Sequence, residues 1–333
     1  MSHEIKIGQL IDKRFEITAL IEQSGMATIF KALDRQTRQI VVLKVPHLEF
    51  DGNPGNSSRF AREAAIIGKL DHPGIVKIIP LAEKSRTYIV MEYVEGETLY
   101  AILERTRPLP VREALQLASR LCDILEHMHR HGVVHRDLKP GNIMISADGL
   151  PHIIDFGIAR GPVTEPFMFG WLSPKMGTPE YMAPEQIQGD RVDARTDVYS
   201  LGIVLYEILT GTQPFHGDTN EDIFNARSAR AARPPRELNS NLSEQIEEII
   251  LHAMAPRPSE RYCSAAAMKT QLDFPETVPV TGMYRNPRGA SAWPRRLRLA
   301  GLVLGVAAAP FILFFLFLLM FQRQLARRSR RRT

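Results

Sequence analysis

The sequence predicts an α+β chain with a strand-rich N-terminal part, a helical C-terminal part and one C-terminal transmembrane helix. Three observations carry that expectation. Short β-branched segments separated by turn residues fill residues 8–100, apolar residues recur at helical spacing from about residue 110, and Leu299 to Phe321 is a run of 23 residues without a charged or polar side chain. The first pattern is that of strands and the second that of amphipathic helices. A core helix rarely runs so far without a polar face, whereas a bilayer span needs about 20 such residues.

Taken in order, Phe15-Glu16-Ile17-Thr18-Ala19-Leu20, Ala27-Thr28-Ile29-Phe30-Lys31-Ala32 and Ile40-Val41-Val42-Leu43-Lys44-Val45 read as strands. Residues 51–58 are a loop by composition, and Phe60, Ala64, Ile67 and Leu70 then recur at helical spacing until Asp71-His72-Pro73-Gly74 breaks the run. Tyr88 to Val94 reads as a buried strand. Leu115, Ala118, Leu121, Cys122, Leu125 and Met128 mark one face of a helix that Gly132 is placed to end as a left-handed cap. Asn142 to Ile145 and His152 to Ile154 flank Asp148-Gly149, a hairpin signal that brings Asn142 and Asp155 to the same edge. Helices are expected around 197–210 and 243–255. Residues 274–298 read as a linker and basic juxtamembrane segment, and 322–333 as an Arg-rich tail.

The 333 residues carry a formal net charge of +5, with 44% hydrophobic and 24% charged residues, which is ordinary for a globular chain. The positive charge is local. Nine arginines (Arg295, Arg296, Arg298, Arg323, Arg327, Arg328, Arg330, Arg331 and Arg332) lie in the last 39 residues, with no Lys, Asp or Glu among them. Without those nine, residues 1–294 stand at −4, which excludes nucleic acid as a partner for the globular part. Cys122 and Cys263 are far apart and have no metal-ligand spacing, so both are expected to be small core residues in a reducing compartment. Met1 to Lys6 has no apolar run or cleavage pattern, so no signal peptide is expected.

The chemistry concentrates in His135-Arg136-Asp137-Leu138-Lys139-Pro140-Gly141-Asn142, followed by Asp155-Phe156-Gly157. A lone HRD tripeptide is common and says little. An Asp near an acceptor hydroxyl, an Asn five residues later and a second Asp after a hairpin together supply one orienting carboxylate and a metal-binding pair, which is what phosphoryl transfer asks of a protein. These segments resemble the catalytic and metal-binding loops of the eukaryotic-like (bacterial) serine/threonine protein kinase family.

The resemblance covers residues 10–273 and implies a bilobal protein-kinase fold. A small β-rich lobe of about 10–94 would sit on a large helical lobe of about 95–273. It implies ATP with Mg²⁺ or Mn²⁺ as cofactors and protein Ser/Thr hydroxyls as acceptors. Asp137 and Lys139 would be catalytic, and Asn142 and Asp155 the metal ligands. Lys44 would hold the α and β phosphates and pair with Glu63. Ile21, Ile29, Met91, Glu92 and Val94 would line the ATP site, with Met91 at the back of the adenine pocket. Gly177-Thr178-Pro179-Glu180-Tyr181-Met182-Ala183-Pro184-Glu185 resembles the segment that positions the acceptor peptide. With Lys139 it argues for Ser/Thr rather than Tyr substrates. Glu185 and Arg261 resemble an ion pair tying that segment to the large lobe. Asp197 resembles the carboxylate that supports the catalytic-loop backbone, although an Asp at a helix start is also a routine N-cap. Arg136 suggests control by phosphorylation, with Thr164, Ser173 and Thr178 as candidate sites.

One segment departs from the pattern. Glu22, Ser24 and Ala27 occupy the three glycine positions of the phosphate-covering loop, and only Gly25 lies beside them. Glycine there lets backbone N–H groups approach phosphates, and Glu22 adds a carboxylate near a polyanion. A catalytically weak pseudokinase scaffold is therefore the alternative. A small-molecule kinase would share the catalytic Asp but has no reason to carry residues 177–185. The expected location is the membrane, with the kinase domain cytoplasmic and residues 299–321 as a single-pass C-terminal anchor. Pro310 also allows a re-entrant hairpin that keeps both arginine clusters inside. Gly301 and Gly305 form a small-xxx-small pair that fits a homodimer, as does the apolar activation segment around Phe167 to Leu172.

Overall fold

The computed structural model describes residues 5–23, 27–47, 65, 67–81, 84–155, 179–215, 217, 222, 227 and 232–282. All fall within one unit, residues 1–286. Glu63, Ser24, Thr164, Ser173, Thr178, Gly301, Gly305, the segment Phe167 to Leu172 and the apolar run 299–321 lie outside the described residues. Among the described residues no helix is long and apolar enough to cross a membrane.

The N-terminal sheet follows chain order: β1 (Leu10–Ile11), β2 (Phe15–Gln23), β3 (Ala27–Asp34), β4 (Ile40–Pro46) and β5 (Ile89–Glu92), each antiparallel to the next. Alternation decides which face each side chain takes. Val41, Leu43 and Val45 of β4 are buried with Phe15, Ile17, Phe30, Ala32, Tyr88 and Val90 in one core. Lys44 lies between Leu43 and Val45 and so takes the opposite face, with Ile29 and Ile89 as its cross-strand neighbours. At one end of the sheet the Arg14 guanidinium bonds both carboxylate oxygens of Asp34, at 2.9 and 2.7 Å.

A second sheet opens the larger part: β6 (Gly96–Thr98), β7 (Ile143–Ser146) and β8 (Pro151–Ile153). Gly149 supplies the left-handed residue of the β7–β8 turn, at φ 76°. Because Ile143 pairs with Ile153, Asn142 and Ile154 face one another at the open end, and the Ile154 N–H donates to the Asn142 carbonyl at 3.1 Å.

Among the described residues the helices are α1 (Leu99–Arg105), α2 (Val111–Arg130), α3 (Pro184–Gln188), α4 (Ala194–Thr210), α5 (Pro235–Leu238), α6 (Glu244–Ala253) and α7 (Ala265–Asp273). The buried stripe of α2 includes Ala118, Leu121, Cys122, Leu125 and Met128, and Gly132 follows it at φ 72°. Leu115 of the expected face is only partly buried, packed against the core rather than inside it. Helix α4 is buried from Thr196 to Thr210, as the central helix of the large core must be. Gly202 lets α6 approach it, since a Cβ there would sit 2.8 Å from the Ala253 Cβ. One expectation is corrected. Cys122 is buried but Cys263 is exposed, because it sits in the link just before the Ser264 N-cap of α7. The N-cap of α4 is Asp193, whose carboxylate accepts from the Arg195 N–H, which leaves Asp197 inside the first turn with another role.

Candidate active site

The β4 lysine and an aspartate just beyond β8 meet at the junction of the two parts. Lys44 Nζ donates to Asp155 Oδ1 at 2.6 Å, with the lysine largely shielded and the aspartate partly exposed. Strand alternation aims Lys44 out of its own core, and the β7–β8 hairpin delivers Asp155 to the same place. Beside it, the Asn142 amide donates to the Asp137 carbonyl at 2.8 Å and to its carboxylate Oδ2 at 3.1 Å. Lys139 Nζ lies 3.4 Å from the same oxygen. Asp137 is thus held between an amide and an ammonium within one short loop.

That loop is held by a buried scaffold. Arg136 takes φ 66°, a left-handed conformation that costs a non-glycine residue about 1–3 kcal/mol. Asp197 supports it from α4: Oδ2 accepts from the His135 N–H at 2.8 Å and Oδ1 from the Arg136 N–H at 2.9 Å. His129 Nε2 donates to the same carboxylate at 2.8 Å. On the far side, Gln186 Nε2 donates to the Arg136 carbonyl at 2.8 Å, while its Oε1 accepts from the Ala183 N–H. The peptide groups on both sides of Arg136 are therefore fixed. Burial alone would raise the Asp197 pKa. The hydrogen bond and charge of His129, with His135 and the Arg136 N–H, reverse that and hold it below the ordinary carboxylate value. Burial pushes the His135 pKa below its ordinary value, and its Nδ1 accepts from the Asp137 N–H at 3.2 Å.

Glu185 and Arg261 form a buried fork, with the Arg261 guanidinium donating to both Glu185 oxygens at 2.7 Å. Arg261 also donates to the carbonyls of Ala255, Arg195 and Pro256. Its planar fork stacks 4.7 Å from the Tyr199 ring centroid. Thr196 adds a hydroxyl bond to Glu185 at 2.8 Å.

The remaining expected positions sit around the sheet. Met91 is buried on β5 opposite Val42. Glu92 is bonded to Lys77 both ways, its N–H donating to the Lys77 carbonyl and its carboxylate accepting from the Lys77 N–H, each at 2.9 Å. Val94 packs against the larger core. Glu22 pairs with Ile29 at the end of β2 and is exposed, as is Ile21, whereas Ala27 is buried. Sequence reading missed His129, Thr196 and Gln186. Only Gln186 carried a signal, as the N3 residue of a helix led by Ala183-Pro184.

Among the described residues no three His, Cys, Asp or Glu side chains are grouped to hold a metal ion. The hairpin edge offers one carboxylate, Asp155, and one amide, Asn142, whose nitrogen faces Asp137 and leaves its oxygen directed elsewhere. Two hard oxygen donors of this kind fit Mg²⁺ or Mn²⁺, which fill their remaining positions with phosphate and water.

An antiparallel sheet set on a helical body, with a lysine–aspartate contact at the junction and a braced loop carrying a second aspartate, defines the bilobal protein-kinase fold. The protein kinase domain profile matches residues 15–272, and the chain belongs to that family. It is 37% identical over 267 residues to the serine/threonine-protein kinase PknB of Mycobacterium leprae, covering 79% of this chain and 43% of that protein. It is 35% identical over 268 residues to a probable serine/threonine-protein kinase of Clostridium perfringens, covering 80% of this chain and 39% of that one. The chain thus spans about two fifths of the length of these relatives. Among solved structures, Rad53 residues 1–466 in complex with AMP-PNP superposes with a TM-score of 0.64 at 27% identity, over 77% of this chain and 64% of that one. The Mycobacterium tuberculosis PknI kinase domain shares the fold at a TM-score of 0.63 and 21% identity, over 82% of this chain and 99% of that one.

Proposed function

We propose that this chain is a membrane-anchored serine/threonine protein kinase that transfers the γ-phosphate of ATP to Ser or Thr hydroxyls of proteins. The observation that carries the reading is the convergence of Lys44 and Asp155 beside a loop that fixes Asp137 between Asn142 and Lys139. Lys44 neutralises the α and β phosphates. Asp137 orients the acceptor hydroxyl and takes its proton, and Lys139 faces the phosphoryl group in transit. Asn142 and Asp155 would hold a divalent cation, which would supply charge to offset that developing on the phosphate oxygens. Nearly all the catalytic effect in such a site is positioning and fixed charge, which explains the bracing of Arg136 from both sides. The serine/threonine preference is supported by Lys139, by residues 177–185 and by the names of the relatives.

The anchor is the apolar run 299–321, with the kinase domain on the cytoplasmic face where ATP is available. Dimerisation through Gly301 and Gly305 would favour autophosphorylation between copies, at Ser173, Thr164 or Thr178. Incubating the purified full chain with ATP and Mg²⁺, beside Asp137→Asn, tests the reading. Phosphate incorporation into wild type that is lost in the variant supports it, and equal incorporation in both overturns it.

A further inference from the structure

Arg227 is a buried cation with no part in the chemistry above. Its side chain is 1% exposed, and Nη1 donates to the Met182 carbonyl at 2.6 Å. The guanidinium lies 5.7 Å from the Phe215 ring centroid. Arg227 Nε and Nη2, the Tyr199 hydroxyl and Glu180 Oε2 are all buried, with no hydrogen bond among the described residues. Burial pushes the Arg227 pKa below its usual value, and Tyr199 and Glu180 oppose that shift. Enclosing a five-donor guanidinium for one bond to a neutral carbonyl is costly, and an apolar side chain would fill the same space at lower cost.

What the bond holds gives the arrangement a purpose. Met182 lies in the segment just before Pro184 of α3, and three successive backbone groups there are held by three different side chains. The Tyr181 carbonyl accepts from Ser200 of α4 at 2.9 Å, the Met182 carbonyl from Arg227, and the Ala183 N–H donates to Gln186 of α3 at 3.0 Å. Ser200 and Gln186 belong to the two helices that already frame the segment. Arg227 reaches it from 45 residues away and ties it to a different part of the large lobe.

Resting on the kinase reading, we propose that Arg227 is a positioning residue for acceptor-protein binding, fixing Met182 so that residues 179–183 present the peptide in one conformation. It touches neither ATP nor the reacting atoms. It therefore controls the peptide KM and leaves the ATP KM alone.

The test uses the full chain with R227M, which fills the space without a donor, and R227K, which keeps one donor without the planar fork. Losing a hydrogen bond from a charged donor should raise the peptide KM about tenfold in R227M. R227K should raise it about threefold, with the ATP KM unchanged in both. Amide hydrogen exchange over residues 180–187 should quicken in R227M and less so in R227K. An unchanged peptide KM in either variant, an equal rise in the ATP KM, or R227K behaving like R227M overturns the proposal. If R227M does not fold, R227K decides alone. If the wild type transfers no phosphate, the kinase reading fails. Exchange then decides the positioning role by itself, and unaltered exchange in both variants rejects it.

Discussion

Lys44 and Asp155 are 111 positions apart in the chain and 2.6 Å apart in space. One comes from a strand of the N-terminal sheet and the other from the end of the β7–β8 hairpin. Their contact brings the two parts of the site together, and it uses the carboxylate that the proposed metal requires.

Lys44→Ala and Asp155→Ala should each lower phosphoryl transfer by at least about 10²–10³-fold, because each removes fixed charge that water does not replace. Both variants should remain folded, since neither group belongs to a core cluster. Radiolabelled phosphate transfer with circular dichroism checks both points. Robust activity from Asp155→Ala would sink its assignment as a metal ligand.

Asp34 supplies a pH-dependent contribution to stability. The hydrogen bonds from Arg14 hold its pKa at about 2, against an ordinary value of 3.8, with the Gln36 N–H and the Thr37 hydroxyl adding to the effect. The folded pKa is depressed, so the stabilisation is complete above about pH 5 and fades as pH falls towards 2. Asp34→Asn should lose about 2 kcal/mol at pH 7. Urea midpoints of the two proteins should converge between pH 4 and pH 2. A gap that stays constant with pH would refute the linkage.

Arg261→Ala leaves Glu185 buried and unpaired, an error worth about 3–5 kcal/mol. For a domain of this size the melting temperature should fall by on the order of 10 °C. Glu185→Gln/Arg261→Met, which removes both charges, should recover a large part of that loss. Calorimetry on the three variants reads the coupling directly. A double variant no more stable than Arg261→Ala would show that packing rather than charge dominates.

Glu22→Gly should lower the ATP KM if the carboxylate faces the phosphates, as its place in the first glycine position of the loop suggests. It is exposed at the end of β2, opposite Ile29. Steady-state kinetics in ATP measures this. An unchanged KM means that the carboxylate points to solvent, and the pseudokinase alternative then loses its main support.

A cysteine at position 333, probed on intact cells with a membrane-impermeant thiol reagent, reads the topology of residues 299–321. A single crossing carries the Arg323–Arg332 cluster outward and predicts labelling. Protection until the cells are opened would instead support the hairpin bent at Pro310.

The chemical identities of the site were legible in one dimension. Asp137, Lys139, Asn142 and Asp155 sit in short segments where side-chain type and spacing are set by local backbone geometry: a tight loop, then a hairpin whose turn Gly149 announces. Helix α2 was legible because its apolar residues recur every three or four positions and Gly132 marks its end. By itself, then, the sequence determined the family, the order of β2 to β5, α2, β7, β8, α4 and α6, and the residues on which the proposed phosphoryl transfer rests. Only the tertiary structure decided who meets whom. It showed that Asp197 braces a left-handed Arg136 rather than capping α4, that His129 and Gln186 complete the brace, that Cys263 is exposed, and that Arg227 is buried against Met182. The physical reason is range: periodicity and turn chemistry act over a few residues, whereas these contacts join groups 45 to 68 positions apart. Burial, which gives each such contact its strength, is a property of the assembled core.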